Sequence, residues 1–373
     1  MPDLSVIVTF YRELAFIGEA LNSIVGQGLD DFEIILVNDN PDFEIKEFLE
    51  QHAGLTCVRF VHQHTNAGLS AARNAGIEAA SGTYLVFLDA DDYFLPGGLK
   101  AHLDLALETE ADLVHAPFLA GVKTVNPLRS GLTANLIDEA CFSFHAKKRS
   151  FAQVPELQLI VAPWKFLHRR EFVIGNSLLF DPELRKFEDR PFVLSNLLTK
   201  SHIAFHSKPT RVWRKRAGSI TSTGKSDAEF KDMCLGITRS FKVIDTKPAG
   251  FSHTAGTPEI KLVEMREIVH TLARAIGGTE LLGVANAERE SSETVRKTLT
   301  ACAARQAADP AFARDVVCGH TLADVHRRFS HAGLTEAAFF QLWDDIANQR
   351  WSKLKGSAMV SRLIAAQRAE AAR

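Results

Sequence analysis

The sequence predicts an α/β protein: a mostly parallel sheet flanked by helices over residues 1–225, followed by an all-helical domain over 226–373. Three observations carry this expectation. Short β-branched runs alternate with stretches of helical spacing through the first part of the chain. One run, Thr83-Tyr84-Leu85-Val86-Phe87-Leu88-Asp89-Ala90-Asp91-Asp92, is apolar until it stops abruptly in three carboxylates. Beyond Ser226 the strand-like runs cease and helical periodicity takes over.

Leu4-Ser5-Val6-Ile7-Val8-Thr9 reads as a first buried strand and Phe32-Glu33-Ile34-Ile35-Leu36-Val37 as a second, because both are short and rich in β-branched residues. Between them, residues 15–25 place Phe16, Ile17, Ala20, Leu21, Ile24 and Val25 at helical spacing, with Gly26 and Gly28 as stop signals. This is a βαβ unit. Asn38-Asp39-Asn40-Pro41 predicts a turn, 44–51 a helix and 56–61 a third strand. Thr65-Asn66-Ala67-Gly68-Leu69-Ser70 is a loop entering a helix over 71–80, which Ser81-Gly82 ends before the acid-tipped strand. After Pro96-Gly97-Gly98, the spacing predicts a helix over 99–108 and a strand over 111–118, giving a sheet of at least five strands. A further helix is expected over 191–198. In the second domain, Phe230, Met233, Cys234, Ile237, Phe241 and Ile244 share one helical face, and Thr257-Pro258-Glu259 opens another helix after a Pro/Gly-containing linker.

Hydrophobic residues make up 46% of the 373 and charged residues 24%, a balance that suits a globular chain with a sizeable core. Acids number 45 against 43 bases, so bulk charge points to neither nucleic acid nor membrane. The five cysteines, Cys57, Cys141, Cys234, Cys302 and Cys318, are odd in number and form no Cys-x-x-Cys pair, which suits a reducing compartment. The amino terminus has no basic leader pattern, and no apolar run approaches the ~18 residues that span a bilayer. A cytoplasmic, soluble protein is expected. The last segment, 350–373, carries six bases against one acid, which suits either peripheral contact with a membrane surface or a terminal helix docked on its own domain.

The chemistry gathers at strand ends. Asp89 and Asp91, two residues apart at the carboxyl end of a buried strand, sit where open α/β sheets bind ligands and supply hard oxygens for a divalent cation. An isolated Asp-x-Asp is more often a solvated loop with a capping aspartate, so its neighbours decide. Glu188-Asp189, flanked by Phe187, Pro191 and Phe192, is a partly desolvated acid pair at the start of a helix. Desolvation raises its basicity while the helix dipole favours its charge, two opposed effects. From Lys208 to Lys225 there are six bases, no acid, and Gly218-Ser219-Ile220-Thr221. Such a stretch either closes over a diphosphate or is a solvated loop.

Taken in order, Ser5 to Tyr11, Glu33 to Asp39, Asn66-Ala67-Gly68-Leu69-Ser70-Ala71-Ala72-Arg73-Asn74, Asp89-Ala90-Asp91-Asp92, Glu188-Asp189 and Arg214 to Thr221 resemble the family 2 glycosyltransferases, inverting enzymes of the GT-A fold. The resemblance spans residues 4–222 and implies a nucleoside diphosphate sugar donor, with UDP expected. It implies that Thr9, Tyr11 and Asp39 contact the donor's base and ribose and that Arg73 holds the uracil or ribose side. Asp91, with Asp89 beside it, would ligate Mg²⁺ or Mn²⁺, and Asp189 would be the general base. Arg214 and Arg216, with Ser219 and Thr221, would gate the diphosphate, and Glu188 and Trp164 would face the acceptor. For Trp164 and Trp213 a core role is an equal alternative. Asp92 would cap the following turn. The acceptor would be a saccharide or a lipid-linked saccharide, in surface-polysaccharide assembly.

The chain departs from the family where it carries Asn38-Asp39-Asn40-Pro41 instead of two aspartates and a Gly-Ser, which bears on the donor base. Gln349-Arg350-Trp351 lacks the spacing of the processive polymerases' Gln-x-x-Arg-Trp and lies far downstream of Glu188-Asp189. An EF-hand loop starting at Asp89 fails, since Phe94 and Lys100 stand where Gly and Glu are needed. A phosphatase using Asp89 would leave Asp39, Arg73 and Asp189 without a role. A nucleotidyltransferase of related fold needs a glycine-rich loop where Phe10-Tyr11-Arg12-Glu13 stands. A non-catalytic scaffold that binds nucleotide sugar is the alternative outside enzymology.

Overall fold

The computed structural model describes residues 1–42, 56–122, 145–151, 157, 160, 162–215 and six helical positions between 235 and 243. The chain divides into two compact units, Met1–Thr223 and Gly224–Arg373. The helix expected over 44–51, and the helices expected beyond 243, lie outside the described residues.

In chain order the strands are β1 (Leu4–Phe10), β2 (Phe32–Asn38), β3 (Val58–His62), β4 (Tyr84–Asp89), β5 (Tyr93–Phe94), β6 (Leu113–His115), β7 (Phe118–Val122), β8 (Phe166–Arg169), β9 (Ile203–Phe205) and β10 (Arg211–Lys215). The helices are α1 (Leu14–Val25), α2 (Leu69–Ala79), α3 (Gly98–Thr109), α4 (Arg170–Gly175) and α5 (Asp189–Leu198). The larger sheet has the order β3-β2-β1-β4-β8-β6-β9, and a smaller one the order β5-β10-β7.

β1 is buried at every position, which is why its sequence is an apolar run without alternation. It pairs in parallel with β2 on one side and β4 on the other. The chain thus leaves β1 in one direction and returns on its opposite flank, which opens a crevice outside the carboxyl ends of β1 and β4. Thr9 stands there, opposite Val37 on β2 and Asp89 on β4. α1 covers one face with Ile17, Ala20, Leu21 and Ile24, the spacing expected of its buried stripe. α2 lies so close to β1 that a Cβ on Gly76 would run into the Ile7 side chain.

The sequence expectation needs two corrections. The strand expected over 111–118 is two strands in two sheets: Pro117, which has no ladder N–H to give, separates β6 from β7. The large sheet is mostly parallel, as expected, and β8 is its antiparallel member, pairing with both β4 and β6. β8 and β9 carry no sequence signal that was recognised, and β10 occupies part of the stretch read as a basic loop. There Arg211 and Arg214 are buried at 1% and 7% exposure, so for these two residues the solvated-loop alternative does not hold.

Candidate active site

Asp89 ends β4 and Asp189 opens α5, and one buried guanidinium joins them. Arg73 Nη2 donates to Asp89 Oδ1 at 3.1 Å, while Nη1 donates to Glu188 Oε1 at 3.0 Å and to Asp189 Oδ1 at 2.6 Å. Arg73 and Glu188 are buried, whereas the side chains of Asp89 and Asp189 are each 31% exposed at the mouth. Phe187, just before the acid pair, has φ of 63°, a left-handed conformation that costs a bulky residue energy.

Burial opposes the charge on Arg73, but Asp189, Asp89 and Glu188 outweigh it and raise its pKa. Burial, then the charge of Asp189, push Glu188 up to about 8 against the pull of Arg73, so Glu188 keeps its proton at neutral pH. Burial also raises Asp189, opposed by Arg73 and by a hydrogen bond from Glu188 that favours its charged form. The pair therefore divides into a protonated, buried glutamate and an aspartate at the surface supported as an acceptor. This suits proton abstraction by Asp189.

On the other flank, Asp39 follows β2. Its Oδ1 accepts the Ala67 N–H at 2.8 Å and its Oδ2 the Gly68 N–H at 3.0 Å. Gly68 has φ of +90°, open to glycine and strained for other residues, and it leads directly into α2. Burial raises the Asp39 pKa despite those two N–H groups. Asn38, the departure from two aspartates, is fully buried. Its amide donates to Asn40 O and to His62 Nδ1, both at 2.9 Å, and so shapes the turn that presents Asp39. Tyr11 is half-buried, and Arg12 lies over its ring at 4.8 Å.

The other expected residues have these surroundings. Arg73, expected on the uracil or ribose side, hydrogen-bonds Asp89, Glu188 and Asp189 and is 1% exposed. Arg214, expected at the diphosphate, donates to Glu19 at 2.7 Å and lies against the rings of Phe16 and Tyr93. Its guanidinium braces β10. Asp92 does more than cap a turn: buried, it accepts the Arg214 N–H at 2.8 Å and ties the acidic loop to β10. Trp164 is 7% exposed and packs edge-on against Phe118 at 5.0 Å, the core alternative. Asp91 is half-buried beside Asp92. Arg216, Ser219 and Thr221 lie outside the described residues. Arg211, which burial lowers to about 10, was not singled out; it donates to Phe87 O at 2.8 Å beneath the acidic loop.

A parallel switch point with Asp39 on one flank and Asp89 on the other defines a class of α/β proteins whose ligand sits at the sheet's carboxyl edge. Residues 5–172 match the family described as Glycosyl transferase family 2. The chain is 32% identical over 222 residues to the "Uncharacterized glycosyltransferase EpsJ" of Bacillus subtilis, matching 59% of this chain and 63% of EpsJ. It is 27% identical over 192 residues to the "Succinoglycan biosynthesis protein ExoW" of Rhizobium meliloti, matching 48% of this chain and 56% of that protein. The chain thus spans less than two thirds of these relatives. Among solved structures, residues 1–349 of S. aureus TarS in complex with UDP-GlcNAc superpose with a TM-score of 0.61 at 17% identity, covering 94% of this chain and 92% of that one. That likeness establishes the GT-A fold.

Proposed function

We propose that this chain is an inverting glycosyltransferase. It moves a single sugar from a nucleoside diphosphate sugar, a UDP-sugar in the first instance, to a saccharide or lipid-linked acceptor in surface-polysaccharide assembly. The observation that carries the reading is the shared mouth of Asp89 and Asp189, both partly exposed and bonded to one arginine. In this reading Asp189 takes the proton of an acceptor hydroxyl as that oxygen attacks the anomeric carbon. The bond from that carbon to the diphosphate breaks on the opposite side, and a single displacement inverts the configuration. The nucleoside diphosphate leaves with the bonding electron pair. Thr9, Tyr11 and Asp39 line the nucleoside side, with Asp39 as acceptor for a ring N–H.

Asp89 and Asp91 fit a divalent cation, being hard-oxygen donors at the sheet mouth, with Asp89 reaching solvent. Bound Mg²⁺ or Mn²⁺ would supply positive charge to the departing diphosphate. Among the described residues no three His, Cys, Asp or Glu group into an ion site, so Asp89 and Asp91 are the side chains that would hold the cation. The UDP preference is supported by the complex of the TarS fold relative, and the polysaccharide setting by the printed name of ExoW. Among the described residues no helix is long and apolar enough to cross a membrane. Peripheral contact through 350–373 and a cytoplasmic site of action rest on sequence alone.

Calorimetric titration with UDP, GDP and dTDP, each with Mn²⁺ and with chelator, tests this reading. One nucleotide should bind only with metal, and Asp91→Ala should abolish that binding. Absence of binding to all three would overturn the donor site.

A further inference from the structure

α2 places Ser70, Arg73 and Asn74 at positions i, i+3 and i+4, on one helix face. All three hold the segment that leads to Asp189. Ser70 Oγ donates to Leu184 O at 2.8 Å. Asn74 exchanges two hydrogen bonds with the Phe180 backbone, at 2.8 and 2.9 Å. Arg73 completes the row with Glu188 and Asp189, then turns its second Nη to Asp89 on β4. Its guanidinium lies 5.2 Å from the Phe180 ring centre, and that ring stacks on Phe192 of α5 at 3.9 Å.

From these contacts we infer that Arg73 is a positioning residue of the transfer step rather than a donor-binding one: its single planar group fixes Asp189 relative to Asp89, with Asn74 anchoring the approach. The inference rests on Asp189 being the base. Both Nη nitrogens are engaged by carboxylates, and the residue is 1% exposed, so neither is presented to a nucleotide. Its Nε is buried with no hydrogen-bond partner, so its hydrogen bonds run only to the acidic side chains. In-line transfer is sensitive to such placement, where an error of about 1 Å costs about 10²-fold in rate.

Arg73→Lys tests the inference, because one ammonium cannot bridge two sides as the guanidinium fork does. Expected is a kcat lowered about 10²-fold, with the calorimetric Kd for the nucleotide within about threefold of wild type. Asn74→Ala, which touches no carboxylate, should lower kcat in the same sense at unchanged Kd, and it decides the matter should Arg73→Lys not fold. In an Asp189→Asn background, Arg73→Lys should cost little further donor turnover, since it acts through that residue. A raised Kd with kcat intact would return Arg73 to the nucleotide and overturn the inference. So would an equal further loss in the double variant. Full transfer by Asp189→Asn would sink the base assignment and this inference with it. A dead Asp189→Asn beside a fully active Arg73→Lys would sink this inference alone.

Discussion

Two groups of buried titratable side chains lie in and against the same sheet, and only one of them has the makings of a site. At the carboxyl edge, Asp89, Glu188 and Asp189 surround Arg73. In the interior, His102 on α3, His115 on β6 and His168 on β8 are each at most 1% exposed. His102 Nε2–H donates to Val114 O at 2.7 Å. His168 lies between two acceptors, Asn196 Oδ1 at 3.2 Å and Pro163 O at 3.1 Å, and its ring meets Phe87 edge-on at 5.5 Å. Burial lowers all three imidazoles, His168 to about 4, so they stand neutral. A neutral ring has one N–H, so one acceptor of His168 goes unserved. The difference teaches that burial and a shifted pKa do not make a site. The acid group differs because two of its carboxylates also reach solvent where the fold opens a crevice.

The largest effect that separates the two groups is on rate. Asp189→Asn should lower kcat by about 10² to 10⁴-fold, the usual contribution of a general base, with little change in the unfolding midpoint. His168→Gln should do the reverse. It leaves kcat near wild type and costs about 1–3 kcal/mol in urea unfolding, because the buried imidazole's one N–H bond and its ring packing against Phe87 are lost. If His168→Gln lost activity without losing stability, the division between the groups would be wrong.

Next in size is the pH dependence of stability, where the two groups pull in opposite directions. Glu188 ordinarily titrates near 4.5 and is pushed up to about 8 in the fold. The folded protein keeps a proton that the unfolded chain releases, so this contribution is full below about 4.5 and drains as pH rises to about 8. Asp189, Asp92 and Asp39 are raised too and act in the same sense. His168 ordinarily titrates near 6.5 and falls to about 4. There the unfolded chain takes the proton first, so stability is full above 6.5 and drains as pH falls to about 4. Urea midpoints measured across this range should decline on both sides. Glu188→Gln should flatten the alkaline limb only, and His168→Gln the acid limb only.

How far this contrast was legible in the sequence follows from what each pattern reports. The β1, β2 and β4 runs announce buried strands, and Asp89 and Asp189 stand out because acids adjoin apolar residues. Periodicity also placed α1, α2 and α3 to within two residues at either end. What stayed hidden depends on contacts between distant segments. Arg73 and Asp189 are 116 residues apart, and no local pattern says that a helical arginine will be spent on them. The Ser70, Arg73 and Asn74 face did carry a signal, three polar residues at i, i+3 and i+4 of a helix that packs on β1 and should bury them. β10 was misread because its arginines are inside, held by Glu19, Phe87 and aromatic rings that sequence proximity does not reveal. The histidines gave no signal at all, since a core imidazole and a ligating one look alike in a single sequence.

The smallest expected effect concerns the backbone at the mouth. Phe187 holds φ of 63°, so Phe187→Gly relieves a conformation that costs about 1–3 kcal/mol for a residue with a side chain. Against this, glycine adds about 0.5–1 kcal/mol of backbone freedom to the unfolded chain, and the half-buried ring loses its packing. These terms nearly cancel, and the unfolding free energy should move by less than about 1 kcal/mol. The rate should respond instead. A glycine beside Glu188 lets the acid pair sample positions that Arg73 and Asn74 otherwise exclude, so kcat should fall several-fold while nucleotide affinity holds. Unchanged kcat with clearly higher stability would mean that the strained turn is incidental to the placement of Asp189. The histidine layer, held by packing inside strands and helices, should not respond to this substitution, and the acid limb of the stability curve should stay where it is.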